Sequence, residues 1–420
     1  MLWSSEDSFF EHVTRTQCAF SIAVLTLVYS IVVIIYNIFL HPLARFPGPI
    51  HYRASILPWA YETFRGTLTF TVLGLHERYG PVVRISPSEL CFSDPQAWRD
   101  IYGTTVGQEN PKYRGVYGSL SGHMAESILA AGQEKHKVMR GILAEGFCNR
   151  ARRGQERLIM GHVDVMMQQL RNVYRQENYE VNGNMGKEFN AKRAVIDVNE
   201  WFYWITSDII SYLSLGESFH CLENLQTHPY LRFLSIVPEW LLKSVVLRHL
   251  GMGTIIEIVT LTFASKLSQM LEGMKERLEK RIESTDKRGD PIELMVAAKE
   301  AGQLTFEHVL GTANFLILAG SETTSITLTA FIYFMVTNSI HLTRVADEVL
   351  LAFKSEDEIN LSRAEKLQYL NACLKETLRV FPAIAGGAPR VVARGGGAIA
   401  GNYIPQDVSI AVPIPPGNWT

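Results

Sequence analysis

A chain of 420 residues with 47% hydrophobic residues can bury a large core, and its length permits two or three domains. Its formal net charge of −2 gives no reason to expect nucleic acid or an acidic surface as partner. The five cysteines (Cys18, Cys91, Cys148, Cys221, Cys373) are scattered and form no C-x-x-C pair, which argues against a zinc site or a disulfide framework and suits a reducing compartment.

The first element in chain order is an apolar segment. From Ala19 to Leu40, "AFSIAVLTLVYSIVVIIYNIFL" carries 22 residues without a charge. At 1.5 Å per residue such a helix is about 33 Å long, enough to cross a hydrocarbon core of roughly 30 Å. The following "HPLARFPGP" offers no small-residue cleavage site, so the segment reads as a signal anchor, with residues 1–18 as a short luminal tail. Arg45, Arg53 and Arg65 follow the span, whereas only Arg15 precedes it, beside Glu6, Asp7 and Glu11. That bias puts the large carboxyl-terminal part, 51–420, in the cytoplasm.

Pro42, Pro47, Gly48 and Pro49 predict a stiff linker over 41–50. "YGPVVRISPSELCFSD", Tyr79 to Asp94, alternates Val83, Ile85 and Leu90 between prolines and predicts a short hairpin. Apolar residues at helical spacing predict helices over Phe202–Phe219, ending near Gly216, and over Ala264–Thr285, with a surface loop at Thr285–Pro291. A long helix is predicted from about Thr305, as N-cap, to Thr337; because it contains Asn314 and Glu322, it is expected to be buried in protein rather than to be a second span. Ala364–Pro382 predicts another helix stopped by Pro382, followed by short strands at Arg390–Ala393 and Val408–Val412. The fold class is therefore mainly α with a small β portion.

Three constellations carry chemistry. In "FLILAGSETTS", Phe315 to Ser325, Gly320 removes a side chain where something bulky approaches, and the Glu322–Thr323 pair can relay protons or position water in a dry pocket. The alternative is that the hydroxyls bond back to the preceding turn and the acid pairs with a lysine. Glu376 and Arg379, three apart, can form a charge-assisted pair; flanked by Leu374, Leu378, Val380 and Phe381, it is expected to be partly buried and to fix local geometry. His136 and Arg140 lie four apart and either hold an anionic ligand group or form a basic surface stripe with Lys135 and Lys137.

Other patterns fail. "GSLSG" at Gly118 has Leu120 in place of a nucleophilic serine, and "HERYG" at His76 is not a zinc helix. "GGGAIAGNYIP" has Pro405 and no following helix, against a dinucleotide fold. Asn418-Trp419-Thr420 is a formal glycosylation sequon without meaning in a cytoplasmic domain.

Taken together and in order, the anchor, "HPLARFPGP", "YGPVVRISPSEL", "EKHKVMR", "LGESFHCLE", "AGSETTS", "KETLRVFP" and "APRVV" resemble the cytochrome P450 superfamily of membrane-anchored haem-thiolate monooxygenases. The resemblance covers nearly everything from the anchor to about Pro405, and "SDIISYLSLGESFHCLE" looks most like microsomal fungal members of secondary metabolism. It implies a P450-like helical domain that oxidises a small lipophilic molecule with haem, at the endoplasmic reticulum membrane. Electrons would come from an NADPH-dependent flavoprotein reductase. It places Ala319, Gly320, Glu322 and Thr323 on the oxygen-activation motif, Glu376 and Arg379 on the structural E-x-x-R pair, and His136, Arg140 and Arg390 on positions that meet the haem propionates. None of the five cysteines lies in the family's F-x-x-G-x-x-x-C-x-G loop. The expectation is thus a chain that stops before the haem-ligand segment, and the alternative to a monooxygenase is a membrane-anchored, haem-free remnant.

Overall fold

The computed structural model describes residues 4–103, 109–118, 120, 122–183, 195–284 and 289–413. The chain divides into two compact units, one made of 1–111 with 387–413 and the other of 112–386 with 414–420.

The first unit opens with α1 (Ser4–Ile35), which ends in a π-turn over Tyr36–Leu40. The helix thus begins well before the apolar segment, at Ser4. Gln17–Leu40 is long and apolar enough to cross a membrane. Short helices α2 (Ile50–Ala54), α3 (Leu57–Arg65) and α4 (Leu68–Tyr79) follow, then β1 (Val82–Ser86), β2 (Glu89–Phe92) and α5 (Pro95–Tyr102). The stretch predicted as a linker is packed: Leu43 and Phe46 are buried, and the Pro47 carbonyl accepts from the Arg84 amide at 2.8 Å. Gly48 is required there, because a Cβ would stand 2.4 Å from the Arg84 carbonyl oxygen.

After a long excursion the chain returns with β3 (Arg390–Val391), β4 (Gly397–Ile399), β5 (Asn402–Ile404) and β6 (Ser409–Ala411). The expected β1–β2 hairpin is antiparallel, but its other edge pairs in parallel with β6, Leu90 opposite Ile410, and β3 closes the sheet in the order β1-β2-β6-β3. The glycine-rich segment that failed as a nucleotide motif forms the separate β4–β5 hairpin.

The second unit is helical: α6 (Arg114–Tyr117), α7 (Gln133–Gly146), α8 (Asn149–Gly183), α9 (Val198–Leu215), α10 (Cys221–Asn224), α11 (Pro229–His249), α12 (Gly253–Glu283), α13 (Pro291–Glu300), α14 (Phe306–Thr337), α15 (Ser339–Ala352), α16 (Leu361–Ala364) and α17 (Gln368–Val380). Local signals set many of the ends. Asp197 caps α9 by accepting from the Asn199 and Glu200 amides, and Gly216 stops it at φ 78°. Thr305 caps α14 through a capping box with His308. The predicted helix over 264–285 is the second half of the longer α12.

The helix predicted over 364–382 is α17, which starts later, at Gln368. The Glu348 carboxylate, on α15, accepts from the Tyr369 and Leu370 amides at 2.9 and 2.8 Å and so starts α17 from outside its own segment. Those bonds hold the Glu348 carboxyl below its usual range. The loop expected at Thr285–Pro291 falls partly, and the sequon at Asn418 wholly, outside the described residues.

The main core lies in the second unit, where Leu143, Trp204, Leu231, Leu278, Ile292 and Leu310 bring α7, α9, α11, α12, α13 and α14 together. By length and composition α14 too could cross a membrane, yet Val309, Leu310, Ala313, Asn314 and Ile317 are buried by protein neighbours. Arg281 and Asp290 form an ion pair at 2.8 Å with side chains 6% and 1% exposed, and Asp290 also caps α13 by accepting from the Glu293 amide. Replacing Asp290 with Ala removes the nearest carboxylate from a buried guanidinium, Glu293 standing farther off at 3.9 Å, together with the cap of α13. The expected loss is about 3–5 kcal/mol in unfolding free energy, read by urea denaturation.

Candidate functional site

Helix α14 carries the acid–alcohol turn, and α9 shapes it. The Thr206 hydroxyl on α9 donates to the Ser321 carbonyl at 2.9 Å. A Cβ at Gly320 would stand 2.7 Å from the Ile210 side chain, also on α9. The bulky group that approaches the glycine in this structure is therefore a neighbouring helix.

Half of the alternative reading of the turn is found: the hydroxyls bond back along the helix. The Thr323 hydroxyl donates back to the Ala319 carbonyl at 2.6 Å, and Ser321, Ser325 and Thr327 bond back in the same way. The acid does not find its lysine: the half-buried Glu322 carboxylate has no ion pair among the described residues. Burial raises its pKa from 4.5. Tyr203 of α9, whose hydroxyl donates to the Leu231 carbonyl at 3.1 Å, is pushed up by burial and then by the nearby Glu322 charge. Tyr203, Thr206 and Ile210 escape sequence reasoning because they read as ordinary residues of a core helix.

The Glu376–Arg379 pair forms as predicted, with Arg379 Nε and Nη2 donating to the two carboxylate oxygens at 2.8 and 2.6 Å. The expected partial burial is found at Arg379, 35% exposed, and not at Glu376. Glu376 is 58% exposed, because Leu378 and Phe381 beside it are themselves exposed. Arg379 holds the Glu376 carboxyl below its usual range, but an exposed pair of this kind adds little stability. Glu376 also borders a groove of about 340 Å³ lined by Phe334, Met335, His341, Tyr369 and Cys373.

His136 and Arg140 sit one turn apart on α7, the first half-buried and the second exposed. Arg390 belongs to the other unit, on β3, where its guanidinium lies over the Tyr102 ring at 5.9 Å. Its Nε is buried without a hydrogen-bond partner. An orphaned guanidinium donor of this kind fits an anionic group such as a haem propionate.

The sulphur side fits less well. Burial raises the Cys91 and Cys373 thiols and pushes Cys221 up to about 12, with the Asp208 charge adding to the last. Cys148 is exposed on the surface and Cys18 lies in the apolar span. Among the described residues no three His, Cys, Asp or Glu side chains group as metal ligands. Within the first unit, the unused Arg390 donor suits an anionic group, while burial disfavours the ionised form of Cys91, Cys221 and Cys373.

Two outcomes follow. Gly320→Ala overpacks the α9–α14 contact, with an expected cost of about 1–3 kcal/mol, and adding Ile210→Val recovers part of it in the same denaturation assay. A raised folded-state pKa means that the folded protein keeps the Glu322 proton to higher pH than the unfolded chain does. Stability then falls as pH rises from 4.5 through the raised value. Glu322→Gln is accordingly expected to have the higher melting temperature at about pH 7, with the gap closing below about pH 4.

With this geometry in place, comparison with known proteins gives a consistent result. Residues 47–416 match the family described as "Cytochrome P450". Cytochrome P450 monooxygenase tpeC of Talaromyces stipitatus is 36% identical over 396 residues, covering 92% of this chain and 74% of that protein. Cytochrome P450 monooxygenase 1 of Neocamarosporium betae is 34% identical over 389 residues, 92% of this chain and 76% of that one. Averantin hydroxylase of Dothistroma septosporum is 30% identical over 394 residues, 92% and 70% of the two chains. A mainly helical unit, a small mixed sheet and the ordered motifs agree with this match, and the chain belongs to the cytochrome P450 family.

Proposed function

We propose that the protein is a membrane-anchored monooxygenase that hydroxylates or desaturates a small lipophilic molecule in secondary-metabolite biosynthesis. The observation that carries this reading is the half-buried Glu322 carboxylate, without an ion pair among the described residues, beside the Thr323 hydroxyl in the middle of α14. A carboxyl group whose pKa is raised by burial exchanges its proton closer to neutrality than an exposed one, which suits it to deliver protons in a dry pocket. Thr323 directs its own proton to the Ala319 carbonyl, which leaves the oxygen lone pairs to accept from a water or from Glu322.

The cofactor that the family implies is haem, which when bound supplies the activation of dioxygen. His136 and Arg140 on α7, and Arg390 with its unused buried donor, are proposed to meet carboxylate groups of that cofactor. Glu376 and Arg379 are proposed to hold the end of α17 in shape. The span Gln17–Leu40 supports a place in the endoplasmic reticulum membrane with the larger part of the chain cytoplasmic, within reach of an NADPH-dependent flavoprotein reductase. Lipophilic substrates concentrate in the same bilayer. The naming of relatives as monooxygenases, and of one as a hydroxylase, supports the reaction class.

Deleting the gene in its source organism tests the reading. A lipophilic precursor one oxygen atom poorer, or two hydrogen atoms richer, than the normal product is expected to accumulate. Complementation with Glu322→Gln is expected to restore conversion at a level lower by about 10²-fold or more. An unchanged metabolite profile would overturn the proposal. In the isolated protein, a thiolate-type carbon monoxide spectrum would mean that one of the five cysteines leaves the setting described above, and single Cys→Ser variants would identify it.

A further inference from the structure

The turn that leads into α7 is gathered around a lysine. Lys112 is half-buried, and its Nζ donates to the Ile128, Leu129 and Ala131 carbonyls at 3.0, 2.8 and 3.1 Å. An ammonium carries three N–H donors and no acceptor, so three converging carbonyls saturate it. Carbonyl oxygens drawn around one point repel each other unless a cation stands there. A guanidinium, planar and larger, does not present three donors to one point, so arginine is no substitute.

The amides of the same turn are bound elsewhere. Ala130 and Ala131 donate to the Ser127 carbonyl at 3.1 and 2.9 Å, and the buried Ser127 hydroxyl donates to the Met124 carbonyl at 2.6 Å. The Ile128 amide donates to the hydroxyl of Thr312, a fully buried residue of α14, at 3.2 Å. The carbonyl side therefore cannot relax alone. The Leu129 carbonyl shares its peptide plane with the Ala130 amide, so turning it away would break the bond to Ser127 as well.

This turn fixes the entry of α7. Gly132 directly follows the clamped Ala131 and is the N-cap of the helix, its carbonyl accepting from the His136 amide at 2.8 Å. His136 thus stands one turn beyond the cap, and Arg140 one turn further along the same side. The downstream half of α7 is held in another way, by Met139 and Leu143 in the core.

We propose that Lys112 is a positioning residue for His136 and Arg140, its ammonium acting as the central ion of a carbonyl cup that sets the first turn of α7. The proposal rests on the reading of those two side chains as carboxylate partners of the cofactor. Lys112 acts through the backbone, because its donors are taken up by the turn.

The test uses the full chain in nanodiscs with Lys112→Met, which keeps the side-chain length and removes charge and donors. Hydrogen exchange read by mass spectrometry is expected to be severalfold faster over 128–136, with α12 and α13 unchanged. Unchanged exchange over 128–136 would overturn the clamp. Should exchange rise throughout the chain, Lys112→Ala in ammonium chloride replaces the missing ion. Protection restored by ammonium, and not by tetramethylammonium at equal concentration, supports the cup; no restoration overturns it. Binding of haem and of haem dimethyl ester, followed by tryptophan fluorescence, reads the second step. The unaltered chain is expected to prefer the free acid by about tenfold or more, and Lys112→Met to lose most of that preference. Adding Lys112→Met to His136→Ala with Arg140→Ala is expected to change the preference no further. An equal loss on that background would mean that Lys112 acts by its own charge, and would overturn the positioning role. No preference in the unaltered chain would overturn the carboxylate reading of His136 and Arg140, while the exchange result still decides the clamp.

Discussion

The packing of α9 against α14 is the constraint on which the candidate site depends. Gly320 gives α9 room to come close, Ile210 fills the space, and Thr206 donates to a carbonyl in the turn of interest. Because the two helices touch there, Glu322 is half-buried and Tyr203 is drawn into its field, so the electrostatic state of the acid follows from a packing decision. α9 is fixed in turn at both ends. Asp197 caps its start, and beyond Gly216 the chain folds back so that buried Asp208 accepts from the Cys221 and Leu222 amides at 3.0 and 2.9 Å. A carboxylate enclosed this deeply is tolerated because backbone donors surround it.

Features written in local chemistry could be read from the sequence. The apolar span, the β1–β2 hairpin, the Thr305 cap and the glycine stop after α9 each need only a few neighbouring residues to specify them. Features that depend on a distant partner could not. Nothing near Gln368 announces that Glu348 begins α17, and nothing near Glu89 announces a parallel partner at Ser409. The exposure of Glu376 was misread for the same reason, since apolar neighbours in sequence do not guarantee a covering element in space.

The site shows the same division. Residue types and order were enough to suggest the family, and the helix positions of Glu322, Thr323, His136 and Arg140 follow from helical periodicity. Their physical state was not legible. The identity of the group facing Gly320, the donor left over on Arg390 and the protonated setting of three cysteines arise from tertiary surroundings that a linear pattern does not encode. These are also the properties that decide what a proton or an anion does at the site.

The parallel pairing of β2 with β6 has a consequence for synthesis on the ribosome. Strand β2 leaves the exit tunnel early, yet its neighbour at Ser409–Ala411 is made only after the whole 112–386 unit has been translated. The sheet of the first unit is therefore incomplete while the helices of 112–386 are already made, so most of the second unit can fold before that sheet closes. Until β6 arrives, one edge of the β1–β2 hairpin keeps its amides and carbonyls open, a template for pairing with another chain. Closing that long loop costs chain entropy that the locally bonded helices do not incur.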